Sequence, residues 1–381
     1  MLKLPPLTLY VHIPWCVRKC PYCDFNSHAA AGPLPEAAYV AALCADLESE
    51  LPWVQGRRLR SVFFGGGTPS LFSAQAIGTI LEAAASRIGF AEGIEITLEA
   101  NPGTAEAARF RDYRAVGVNR LSIGVQSFSD PALAALGRIH SGAQALRAVE
   151  FARRAGFERL NLDLMHGLPG QTEREALADL ERALALDPGH VSWYQLTIEP
   201  NTQFHRRPPP LPDEPILDAI GRRGAELLAA QGHLQYEVSA YARPGHASAH
   251  NRNYWEFGDY IGIGAGAHGK LTELWSHRIL RSRKTRQPRQ YLAAADPCVA
   301  RAAVPDPELP LEFLMNALRL NAGVPAAYFP ERTGRPLAAL RAPWEDLARR
   351  GLLEPLGDRL AATPRGHRFL DTVLASWAVG D

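Results

Sequence analysis

Three cysteines fall within eight residues, Cys16, Cys20 and Cys23 of HIPWCVRKCPYCDF. The spacing CxxxCxxC places three thiols on one short loop, since Pro21 opposes a continuous helix through them. A closed tetrahedral metal site takes four ligands. A cubane iron-sulfur cluster held by only three leaves one iron open to a ligand that is not protein. Two centres fit the string: that open cluster, or a zinc site completed by an imidazole such as His12 or His28. Tyr22 and Phe25 interleave with the thiols and would shield either centre from water.

Other chemistry-bearing residues follow short apolar runs. Gly65, Gly66, Gly67, Thr68 and Pro69 form GGGTP, in which backbone can approach a ligand without hindrance from Cβ; a tight strand-to-helix turn would use the same residues. Glu99 and Asp163 end apolar segments, where a carboxylate needs a partner. A ribose diol or an ammonium group would serve, and so would Arg120 or Arg138. Gly264, Gly266 and Gly269 match GxGxxG in form, but no amphipathic helix follows, which argues against a dinucleotide fingerprint.

The elements that position these residues read as a repeat. Apolar runs at 7–13, 60–64, 94–99, 120–125, 159–164 and 191–198 alternate with helical patterns at 36–50, 73–88, 104–115, 141–155, 171–186 and 213–231. Alternation of this kind predicts an α/β fold with a parallel sheet, in which ligands bind at the strand C-termini. The cysteines, GGGTP, Glu99, Gln126, Asp163 and Glu199 all follow or end strands, at that edge. Within 381 residues this gives a partial (β/α)6 barrel over 1–235 and an extension over 236–300 that holds HNRNYW and a basic connector, HRILRSRKTRQPRQ, read as solvated. Residues 301–381 read as helices near 310–320 and 336–350, a hairpin turning at Gly357 and Asp358, and a last helix from 364, a winged-helix-like module.

Composition narrows the function. Apolar residues are 46% and charged residues 21%, enough for a substantial core. A net charge of +1 argues against a nucleic-acid or membrane coat. No run approaches the roughly 20 apolar residues of a membrane span, and the first residues lack a signal peptide's pattern, so a cytoplasmic protein is expected. Five cysteines, three of them clustered, do not make a disulfide framework. Cys44 has the helical spacing of a core residue, and Cys298 has no partner nearby in sequence.

The motifs together resemble a known family. CxxxCxxC after the first strand and GGGTP after the second are similar to the radical S-adenosylmethionine superfamily. YVHIPWCVRKCPYCDF, FFGGGTPSL, TLEANPG, RLSIGVQSF, LGRIHS, NLDLMHGLPGQT and HNRNYW resemble its branch of oxygen-independent coproporphyrinogen III dehydrogenases and related haem chaperones, from about Leu7 to Lys270. The resemblance implies a 4Fe-4S cluster on Cys16, Cys20 and Cys23, with S-adenosylmethionine chelating the fourth iron and cleaved by an electron from it to methionine and a deoxyadenosyl radical. It implies Tyr10 and Tyr22 beside that cofactor, Gly66, Gly67 and Thr68 at its methionyl end, and Glu99, Gln126, Arg138 and Asp163 on its amino-acid and ribose groups.

Departures from the dehydrogenase pattern direct the expected function. That pattern carries a further cysteine two residues after the third, where this chain has Phe25, and a longer N-terminal extension. His250, Asn251, Tyr254 and Trp255 of HNRNYW instead match the chaperone branch, which implies haem as cargo, with His250 as an axial ligand and His246 as a competitor. The implied partners are haem, haem-accepting proteins, a low-potential electron donor and a second copy in a homodimer. Two other readings stay open: an oxidative decarboxylase of coproporphyrinogen III, and a nucleic-acid-binding regulator that uses the C-terminal module. Against the last, the helix over 336–350 mixes Glu345 and Asp346 with Arg341, Arg349 and Arg350.

Overall fold

A computed structural model describes residues 1–103 and 106–378, without the side chains of 106–108. Six strands run parallel in sequence order: β1 Leu7–Ile13, β2 Leu59–Gly66, β3 Phe90–Ala100, β4 Arg120–Gln126, β5 Arg159–His166 and β6 His190–Gln195. β1 is covered on both faces and so reads as a nearly unbroken apolar run: Leu7, Leu9, Val11 and Ile13 are fully buried. Helices return the chain between strands, and their starts are written in the sequence. Ser141 with Gln144 and Thr172 with Glu175 form complete capping boxes, and the Ser73 hydroxyl accepts from Ala76 N.

The sheet continues at both edges through residues 234–303. Strands β7 Leu234–Glu237 and β8 Ala240–Ala242 extend it antiparallel beyond β6. On the other side β9 Asp259–Ile263 pairs parallel with β1, and β10 His268–Glu273, β11 Arg278–Lys284 and β12 Cys298–Ala303 follow antiparallel. The strand order is β12-β11-β10-β9-β1-β2-β3-β4-β5-β6-β8-β7.

The basic connector therefore does not lie in solvent. Half of it is β11, and Lys284 at the strand's end is buried, 2.5 Å from Asp46 Oδ1 and 2.6 Å from Glu50 Oε1 on helix Glu36–Glu50. Alternation of charged and apolar residues in HRILRSRK is the period of a strand, and two buried carboxylates on a distant helix neutralise its last lysine.

A separate apolar cluster forms the C-terminal part, with Phe313, Phe329, Trp344 and Leu360 at its centre. Its helices include Leu309–Ala317, Arg341–Arg349 and Pro364–Arg368. Leu353 and Ala362 bridge across the expected hairpin, and Arg359–Leu360 pairs with Val324–Pro325.

Candidate cofactor and cargo site

At the C-terminal ends of the parallel strands a cavity of about 430 Å³ is lined by Cys16, Cys20, Tyr22, Cys23, Gly66, Gly67, Thr68, Glu99, Gln126, Arg138 and Asp163. These residues come from six loops or strand ends spread over 148 positions of chain, from 16 to 163, and the sheet register brings them to one edge. The GGG string fixes the cysteine loop in place. Gly67 N donates to Ile13 O and Thr68 N to Trp15 O, at 2.8 and 2.7 Å. A Cβ on Gly67 would fall 2.5 Å from Trp15 O, and Gly66, at φ +112°, faces the His12 ring just as closely.

All five cysteines are free thiols, and no group of three or more His, Cys, Asp or Glu among the described residues converges on a single metal ion. His12 is not a spare ligand, since its ring nitrogens lie 3.0 Å from Tyr10 Oη and 2.9 Å from Asn26 O. Three thiols spread round a cavity fit a polynuclear cluster in which each sulfur meets its own iron. Arg138 adds positive charge: Nη1 is 3.8 Å from Cys20 Sγ, while Nη2 donates to Asn101 Oδ1 and Gly124 O.

The two acids have different surroundings. Asp163 accepts from Asn161 Nδ2 at 2.7 Å and from Ser122 Oγ at 2.9 Å, yet burial still raises its pKa. Glu99 has no ion pair among the described residues; burial, then the charge of Asp163, push its pKa up to about 8, against a hydrogen bond from the Gly66 backbone. A carboxyl so placed becomes a strong acceptor once a cation enters. Gln126 stands in the left-handed region at φ 66°, and its Oε1 accepts from Tyr194 Oη at 2.8 Å. Tyr194 and Asn101 line the site too, and sequence gave little sign of Tyr194, which sits inside an apolar strand with nothing to mark it.

Residues 10–183 match the Radical SAM superfamily model, and residues 304–369 match the HemN C-terminal domain. "Heme chaperone HemW" of Escherichia coli (strain K12) is 50% identical over 374 residues, 98% of each chain. The chain belongs to the HemW family. The protein of the same name from Haemophilus influenzae is 49% identical over 98% of each chain. Among solved structures, coproporphyrinogen III oxidase (HemN) from Escherichia coli superposes with TM-score 0.83 at 22% identity, over 98% of this chain and 90% of that one, so the fold is the radical SAM fold.

The HNRNYW string of this HemW-family chain lies on helix Ala249–Trp255, and two expected site residues stand outside the first cavity. Tyr10 lines a neighbouring one. His250 lines neither: it is 1% exposed, with Nδ1 2.8 Å from Ser61 Oγ, Nε2 3.2 Å from Tyr254 Oη, and its ring stacked on Phe63. Burial lowers its pKa to about 3. The family resemblance implies His250 as an axial ligand to haem iron; in this structure both its nitrogens are engaged inside the barrel wall, where the residue anchors its helix to β2. His246 packs against Gly189, in the loop before β6, and lines neither cavity. No helix among the described residues is long and apolar enough to cross a membrane.

Proposed function

We propose that this chain carries haem to acceptor proteins and does so beside a 4Fe-4S cluster and an S-adenosylmethionine site. The observation that carries the reading is the 50% identity to "Heme chaperone HemW" over nearly all of both chains. Phe25, at the place of the dehydrogenase's further cysteine, supports it. In this reading Cys16, Cys20 and Cys23 hold the cluster, which supplies a low-potential electron when bound. Gly66, Gly67 and Thr68 meet the methionyl end of the cofactor, Glu99, Gln126, Arg138 and Asp163 its amino-acid and ribose groups, and Tyr10 and Tyr22 flank it. Arg138 holds positive charge against the Cys20 sulfur, and Glu99 gives up its proton when an ammonium group arrives. Haem acceptors and a low-potential electron donor are the partners, in the cytoplasm, with a homodimer as the assembly. Residues 1–235, 236–300 and 301–381 act as its three parts.

Anaerobic reconstitution with iron and sulfide tests this, followed by spectroscopy with and without S-adenosylmethionine and by titration with haemin. A cluster signal that changes with the cofactor, and saturable haem binding, are expected. A signal indifferent to the cofactor, or no haem binding, would count against the reading. Decarboxylated product from coproporphyrinogen III with cofactor and reductant would replace it with the enzymatic alternative.

A further inference from the structure

A second cavity, of about 410 Å³, adjoins the first and shares Phe25, Gly66 and Glu99 with it. Tyr10, Tyr254, Tyr260 and Phe25 give it broad aromatic faces, and His268 and Arg286 give it a basic side. Phe25 is 63% exposed at the junction, an apolar surface that would otherwise face water. Asn26 ties this cavity to the cysteine loop, donating from Nδ2 to Ala265 O and to Arg286 O at 2.9 Å each.

Three imidazoles reach this region, and their hydrogen bonds separate them. His12 and His250 are buried with both ring nitrogens engaged. His268, first residue of β10, is exposed, lines the cavity, and makes no side-chain hydrogen bond among the described residues. Partial burial, then Arg281, Arg283 and Arg286, lower its pKa, which favours the neutral, metal-ligating ring. Arg281 is taken up by Glu312 and by Tyr260 Oη, whereas Arg283 and Arg286 have no ion pair among the described residues.

We propose that this cavity is the haem site, with His268 as axial ligand to the iron, the tyrosines and Phe25 against the macrocycle, and Arg286 on a propionate. This rests on the haem-carrying reading above. The chemistry required is one available imidazole, flat apolar walls and unpaired guanidinium, and all three occur together here. The shared wall would also let cargo touch the cluster cavity.

The test is titration of the full chain with haemin, read by Soret absorbance and by electron paramagnetic resonance. Wild type, His268→Ala, His250→Ala and Arg286→Glu are compared. His268→Ala should lose the imidazole-ligated signature and bind about tenfold or more weakly, with free imidazole restoring the spectrum; Arg286→Glu should weaken binding by about tenfold with the signature intact. His250→Ala should keep the signature. Wild type that fails to bind haemin would remove the haem-carrying reading itself. Wild type that binds while His268→Ala matches it in spectrum and affinity would overturn only the assignment of the site, as would loss of the signature in His250→Ala alone.

Discussion

Arg138 brings its guanidinium to 3.8 Å from the sulfur of Cys20, from the loop after helix Asp130–Ala135, more than a hundred residues further along the chain. The same group is held by Asn101 and by Gly124 O, so its charge is fixed in place. A positive charge beside a cluster ligand favours the reduced, more negative state. Arg138→Leu should leave iron content near wild type, since the three cysteines remain, and should lower the cluster's midpoint potential. Binding of S-adenosylmethionine should weaken by roughly tenfold, the cost of one charge-assisted hydrogen bond. A redox titration followed by paramagnetic resonance, with equilibrium dialysis of the cofactor, checks both.

Glu99 makes the cluster-free protein's stability depend on pH. Its folded pKa of about 8 lies above the ordinary carboxyl value of 4.5, so between those values the native state keeps a proton that the unfolded chain has lost. The contribution is fully present below the unfolded pKa and is lost as pH rises toward 8, by at most a few kcal/mol. Glu99→Gln should flatten that slope and be the more stable form at high pH. Asp163→Asn should flatten it in part, because the Asp163 charge is the second cause of the shift after burial. Urea midpoints across the pH range measure each.

Gln126 sits in the left-handed region while its side chain takes the Tyr194 hydroxyl. Gln126→Ala keeps the backbone cost and strands that hydroxyl, so a loss of about 1–3 kcal/mol is expected. Gln126→Gly regains roughly 1 kcal/mol of backbone strain and should lie closer to wild type. The order of the two variants in thermal melts is the measurement.

The first six strands and their helices were legible because their periods and capping residues are local: Ser141 with Gln144 and Thr172 with Glu175 mark helix starts without reference to anything distant. The cysteine, GGGTP, Glu99, Gln126 and Asp163 positions were legible for a related reason, since in a parallel sheet everything that follows a strand faces one edge; Arg138, beyond helix Asp130–Ala135, was placed beside the cofactor only by the family resemblance. Burial of His250 was not legible, because it depends on Ser61 and Phe63, nearly two hundred residues earlier. Neither was β11, whose charges look solvated until Asp46 and Glu50 are placed against Lys284.

That lysine yields a sharp expectation of its own. Lys284→Met would leave the buried Asp46 and Glu50 carboxylates with less positive charge, Arg301 alone remaining near Glu50, and should destabilise by about 3–5 kcal/mol. Asp46 also accepts from Gly264 N and Tyr291 Oη, so the turn beside the second cavity should loosen with it. Denaturant melts of the variant, with hydrogen exchange at 264–267, report the two effects separately.

Gly67 separates the loop's fold from its thiols. Its amide ties the GGG turn to the end of β1 at Ile13 O, and an added Cβ would fall 2.5 Å from Trp15 O at the start of the cysteine loop, backbone that has no rotamer with which to move away. Gly67→Ala therefore displaces the loop while all three cysteines remain. Reconstituted iron content should fall to a small fraction of wild type although thiol titration still finds five free cysteines. Gly56→Ala, where φ is +75° but nothing lies within 4 Å of the added Cβ, bears a strained backbone without contact to the loop and should reconstitute normally. If both variants load iron equally, close approach at Trp15 does not control the cysteine loop; if only Gly67→Ala fails, position and not thiol count decides whether the centre assembles.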